Sequence, residues 1–154
     1  MLGVDVADLV LVRSTRPTVP PGRYFNLHKS FHVSPREGYH LEPVELAKII
    51  VDAASDKKAT DIVMLDIREL SVIADYFVIA TGSNPRQIQA IASAIDDKLA
   101  ELGIHERGRE GNAASGWLLL DYADVIVHIF GEMEREFYRL ERLWSEAPTV
   151  VYLQ

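Results

Sequence analysis

From Pro43 onward the apolar residues keep a regular period, and that period changes along the chain. Ala47, Ile50, Val51 and Ala54 recur at helical spacing behind Pro43, which suits a first helical turn. They predict a helix ending near Lys57–Lys58, whose charges suit the negative end of its dipole. Two short apolar runs follow, Ile62 to Ile67 and Tyr76 to Ala80, and read as strands buried on both faces. Asn84, Pro85 and the series Ile88, Ile91, Ala92, Ile95, Leu99 and Leu102 predict a second, capped helix that Gly103 stops. A weaker strand is expected between Ile104 and Arg109. Trp117 to Tyr122 and Asp124 to Phe130 form two more strands joined by a tight turn. A last helix from Glu132 to Trp144 sets Met133, Phe137, Leu140 and Trp144 on one stripe, expected to be core. The order is α-β-β-α-β-β-β-α, an α/β fold (α+β mixed) in which helices cover a mixed sheet of about five strands.

Residues before Pro43 behave differently. Four of the seven prolines stand there (Pro17, Pro20, Pro21 and Pro35), and no apolar period is sustained. Residues 1–42 are expected to be a disordered N-terminal extension, 43–146 a domain and 147–154 a short C-terminal tail. An apolar content of 48% suffices for one core. No apolar run approaches the roughly 20 residues of a membrane-spanning helix. The stretch from Leu2 to Val12 is interrupted by Asp5 and Asp8 and lacks a basic leader, so it makes a poor signal peptide. The absence of cysteine removes disulfides and thiolate metal sites, and fits a reducing, cytoplasmic compartment.

Charge divides the chain in the same place. Residues 1–42 hold five basic and four acidic side chains, whereas the remainder holds 11 basic and 19 acidic ones. Phosphate backbones are bound by neutralisation with Lys and Arg, so an acidic body argues against direct nucleic-acid reading. It suits a basic partner, although surplus acid also simply aids solubility.

Thr81-Gly82-Ser83-Asn84-Pro85 is the strongest enzymatic signal. A glycine turn between strand and helix can hold phosphate, and nucleotidyltransferases place a Gly-Ser pair in such a turn. Those enzymes also need two carboxylates gripping a metal from one strand, two positions apart. Here the residues after the pair form a helix whose acidic pair, Asp96-Asp97, is adjacent and expected to be exposed. Helix capping accounts for Gly82 and Ser83 without a ligand. The five histidines show no metal-ligand spacing; His28, His32 and His40 lie in the extension, and His105 reads as surface. Ser115 lacks the flanking glycine of a nucleophile elbow. No cofactor and no metal site follow.

The hairpin carries more. With Tyr122-Ala123 as the turn, Asp121 opposes Asp124, Leu119 opposes Ile126 and Trp117 opposes His128. Alternation then puts Trp117, Leu119, Asp121, Asp124, Ile126 and His128 on one face, and Leu118, Leu120, Val125 and Val127 on a purely apolar core face. The mixed face admits two readings. It is a partner-binding patch with an aromatic anchor, or it is covered by helices with Trp117 in the core and His128 hydrogen-bonded inside. Repulsion between Asp121 and Asp124 disfavours deep burial unless a basic group meets them.

Four ordered segments resemble one family. They are Asp61-Ile62-Val63-Met64-Leu65-Asp66, then Asp75-Tyr76-Phe77-Val78-Ile79-Ala80-Thr81-Gly82, then Trp117 through Phe130, then Arg135-Glu136-Phe137-Tyr138 with Leu140 to Trp144. Together they are similar to the ribosomal silencing factors, also called RsfS or Iojap. The resemblance implies a nucleotidyltransferase-like fold without catalytic carboxylates, and no enzymatic activity. It implies binding to the large ribosomal subunit through its fourteenth protein, obstruction of small-subunit joining, and repression of translation when nutrients are scarce. Organellar relatives are linked to large-subunit assembly. The family's contact tryptophan falls on Trp117, and Asp121, Asp124 and His128 also match motif positions. Ala123 departs from the family, which often has glycine there. No membrane partner is implied, and a homodimer stays open. Two other classes remain as alternatives: a nucleotidyltransferase-like enzyme using the Gly82-Ser83 turn, and a self-associating adaptor.

Overall fold

The computed structural model describes residues 41–154. The expectation of a disordered extension therefore lies almost wholly outside the described residues. The elements are α1 (Pro43–Asp56), β1 (Thr60–Asp66), β2 (Tyr76–Gly82), α2 (Pro85–Ala100), β3 (Gly108–Asn112), β4 (Trp117–Asp121), β5 (Val125–Gly131), α3 (Glu132–Tyr138), α4 (Leu140–Leu143) and β6 (Thr149–Leu153). A short 3₁₀ turn, Ala113–Ser115, links β3 to β4.

These strands form a six-stranded mixed sheet in the order β3-β4-β5-β2-β1-β6. Only the central β2–β5 pair is parallel among these pairings; the neighbours are antiparallel. Every residue of β2 is buried, as its unbroken apolar run requires of a strand covered on both faces. On one face α1 and α2 pack against Ile62, Met64, Val78, Ala80, Leu118, Leu120, Val127 and Ile129. On the other, the segment of α3 and α4 lies over Phe77, Ile79, Trp117, Leu119, Ile126 and Phe130. Among the described residues no helix is long and apolar enough to cross a membrane.

Local signals hold at α2. The Asn84 side chain accepts a hydrogen bond from the Gln87 amide at 2.9 Å, and Pro85 opens the helix. Ile88, Ile91, Ala92, Ile95 and Leu99 are buried, but Leu102 lies past the helix end and is exposed. At Gly82 an added Cβ would stand 2.9 Å from Cγ1 of Ile88 and 3.1 Å from its amide nitrogen, so glycine lets α2 approach β2.

Four expectations change. The third strand is Gly108–Asn112 rather than the Ile104–Arg109 stretch; Ile104 instead packs against the α1–α2 core. The tail at 147–154 contains a sixth strand, β6, antiparallel to β1. Its five residues are mostly exposed, which is why no alternating pattern announced it. The hairpin register moves by two: Trp117 opposes Phe130, Leu119 opposes His128 and Asp121 opposes Ile126. Its two-residue turn is Ala123-Asp124, closed by the Tyr122 amide donating to the Val125 carbonyl at 3.0 Å. Such turns need positive φ, and Ala123 supplies it at 66°. A shift of two preserves each residue's face.

The last helix also breaks. Arg139 takes a left-handed conformation, φ 45° and ψ 52°, and divides α3 from α4. The stripe is thereby cut in half. Leu140 and Trp144 turn inward, Trp144 packing edge-on against Phe77 at 5.0 Å between ring centroids. Met133 and Phe137, expected in the core, are 81% and 80% exposed.

Candidate functional site: the hairpin face

The mixed face of the hairpin is closed by aromatic packing. Trp117 is 1% exposed and His128 is fully buried. Tyr138 of α3 sits on Trp117 with ring centroids 4.6 Å apart, and Phe130 lies 4.9 Å from the same indole. The indole Nε1 of Trp117 donates to Nδ1 of His128 at 3.2 Å. Phe77 meets His128 edge-on at 4.8 Å. Of the two readings open from the pattern, the covered one describes these two residues: Trp117 is core and His128 is hydrogen-bonded inside. Neither is a solvent-facing anchor, because the segment after Gly131 folds back across them.

The remaining residues grade outwards. Leu119 and Ile126 are 8% and 7% exposed, Asp121 is half-buried and Asp124 is exposed. Asp121 has internal work. One carboxylate oxygen accepts from the Ala123 amide at 2.8 Å, fixing the turn, and the other meets Arg107 at 3.1 Å. Arg107 is the basic group that partial burial of Asp121 called for. The Asp124 carbonyl accepts from the amides of Asp75 and Tyr76, at 2.8 and 3.1 Å, tying the turn to the loop before β2. Its carboxylate raises the pKa of Asp75, after the larger effect of desolvation on that side chain. The hairpin end therefore carries three carboxylates, one of them neutralised by Arg107.

His128 is chemically muted. Burial, reinforced by the positive charge of Arg135, lowers its pKa from 6.5 to about 3. Its Nδ1 accepts from Trp117, so the ring proton resides on Nε2, a buried atom with no hydrogen-bond partner among the described residues. Arg135 itself is half-buried: it donates to Thr81 Oγ1 at 2.8 Å, the Asp61 carbonyl at 2.8 Å and Glu141 at 2.7 Å. It clamps α3 onto the ends of β1 and β2. Nothing in the apolar periodicity marked this role.

The Gly82-Ser83 turn is filled by its own chain. The Ser83 amide and hydroxyl both donate to the Gln87 side-chain oxygen, at 2.7 and 2.8 Å. The Gln87 amide group in turn donates to the carbonyls of Lys57 and Lys58. Amides that would cradle a phosphate are thus committed to capping α2 and joining it to α1. Asp97 is exposed as expected, but Asp96 is half-buried, accepting from Tyr122 and pairing with Arg109 at 2.5 Å. Among the described residues no three His, Asp or Glu side chains converge as a metal-ligand set.

Comparison with known proteins agrees with this architecture. The family model described as "Ribosomal silencing factor during starvation" matches residues 36–154. The ribosomal silencing factor RsfS of Bacillus subtilis is 45% identical over 103 residues, covering 67% of this chain and 87% of that protein. The RsfS of Halalkalibacterium halodurans is 43% identical over 106 residues, covering 69% and 91%. A crystal structure of a protein from Chromobacterium violaceum superposes with a TM-score of 0.66 at 34% identity, covering 72% of this chain and 94% of that one. The chain belongs to the ribosomal silencing factor family.

Proposed function

We propose that this chain represses translation by docking on the large ribosomal subunit, at its fourteenth protein, and standing where the small subunit must join. The mechanism is steric and uses no bond chemistry, cofactor, metal or membrane. One observation supports it above the others: both sheet faces are packed shut, and the turn a nucleotide would need is occupied by Gln87, which leaves the outer surface to act. Family membership supplies the partner, since the relatives are named for ribosome silencing. The site of action is the cytoplasm, where a cysteine-free chain is at home.

Docking centres on the hairpin end. Asp124 meets the partner directly, with Asp121 and the outer edges of Leu119 and Ile126 beside it. Trp117 and His128 lie one layer below and hold that surface in shape. A net charge of −7 steers the chain towards a basic ribosomal protein. Asp124→Lys is expected to weaken sedimentation with purified large subunits by roughly 10-fold, mostly through slower association, while leaving the melting temperature unchanged. Wild-type binding by this variant contradicts docking at the hairpin end.

A further inference from the structure

We infer that Met133 and Phe137 form a second contact ridge for the same basic protein surface, an inference that rests on the docking reading above. The two residues stand one helical turn apart on α3, so their side chains are neighbours. Both are largely solvated, whereas Phe77, Trp117, Phe130 and Trp144 of this face are buried. This outward aim has a structural cause. An unbroken helix would put them on the stripe of Leu140 and Trp144; the left-handed Arg139 separates the two halves. α3 buries none of its own residues, and Arg135 ties it to β1 and β2. The ridge is therefore exposed on a fixed support.

Charge selects the occupant. Arg135, the one cation of α3, is turned inward, and Arg139 is paired with Glu136. Glu132 stands exposed beside Met133, while the Glu134 carboxyl group folds back over Gly116 and Gly131. An apolar pair beside the exposed Glu132, on a chain of net charge −7, fits a recess rimmed by Lys and Arg. The ridge is also continuous with the hairpin face: Phe137 packs edge-on against Tyr138 at 5.0 Å, and Tyr138 lies on Trp117.

The test is co-sedimentation of the full chain with purified large subunits, comparing wild type with Met133→Ser/Phe137→Ser and, separately, Glu132→Lys. Exposed positions should leave the melting temperature of the double variant within a degree or two of wild type. Its affinity is expected to fall on the order of 10-fold or more, as for loss of an interface hot spot. Glu132→Lys should also bind less well and lose part of the salt dependence. If wild type binds and the double variant binds equally well, the ridge is not a contact, and the docking reading stands. If wild type itself fails to bind large subunits, both fall together. If the double variant turns a wild-type dimer into a monomer that still binds normally, the ridge joins two copies and the inference is overturned.

Discussion

His128 has the least ordinary surroundings in the domain. It is charged in the unfolded chain below about pH 6.5, but burial keeps it neutral in the folded chain down to about pH 3. The folded pKa is the lower one, so the unfolded state binds the extra proton as the medium acidifies. Stability is retained above 6.5 and falls between 6.5 and 3, by at most about 1.4 kcal/mol for each pH unit. Urea denaturation at pH 7, 6 and 5 measures that slope. His128→Gln, which keeps an acceptor for Trp117 without titrating, should flatten it; an unchanged slope would assign the acid sensitivity to other groups. The same burial makes His128 a poor surface contact at neutral pH, and gives it the role of holding Trp117 through the 3.2 Å hydrogen bond.

Among the elements, the hairpin and the last helix show what a pattern conveys. Alternation assigned the residues of β4 and β5 to their faces correctly, because a face depends only on odd or even position. The register did not follow from alternation, since a slip of two leaves every face unchanged; it depended on which pair of residues turns. Ala123 gave no signal for the positive φ it adopts, a conformation more natural to glycine. Relief of that strain predicts that Ala123→Gly raises stability by about 1 kcal/mol in thermal or urea denaturation, with the added chain entropy of glycine offsetting part of the gain. No gain would mean that the turn is unstrained with alanine. Likewise the period through Met133, Phe137, Leu140 and Trp144 was genuine helix, but Arg139 could not be recognised as a break. Arginine favours helix, and the turn inward goes with tertiary burial of Leu140 and Trp144, the latter against Phe77. β6 was missed although Thr149 to Tyr152 are all residues of high strand propensity, because the run shows no alternation.

At the scale of the whole molecule, sheet, helix order and the filled α1–α2 face were legible because apolar burial dominates them. The site was legible only in part. The acidic hairpin end follows from charge and turn chemistry, whereas the burial of Trp117 depends on how the helix after β5 folds back over it. The proposed function is that a domain with two closed faces, an acidic surface and an exposed apolar ridge acts by occupying space against a basic partner. The most direct measurement of that claim is a subunit-joining assay. Purified large subunits are incubated with the full chain, small subunits are added, and complete ribosomes are quantified by sedimentation. The account predicts that the chain travels with the large subunit and that complete ribosomes fall as its concentration rises, without added nucleotide or metal beyond the ribosome's own buffer. A chain that binds the large subunit yet leaves the yield of complete ribosomes unchanged would contradict it.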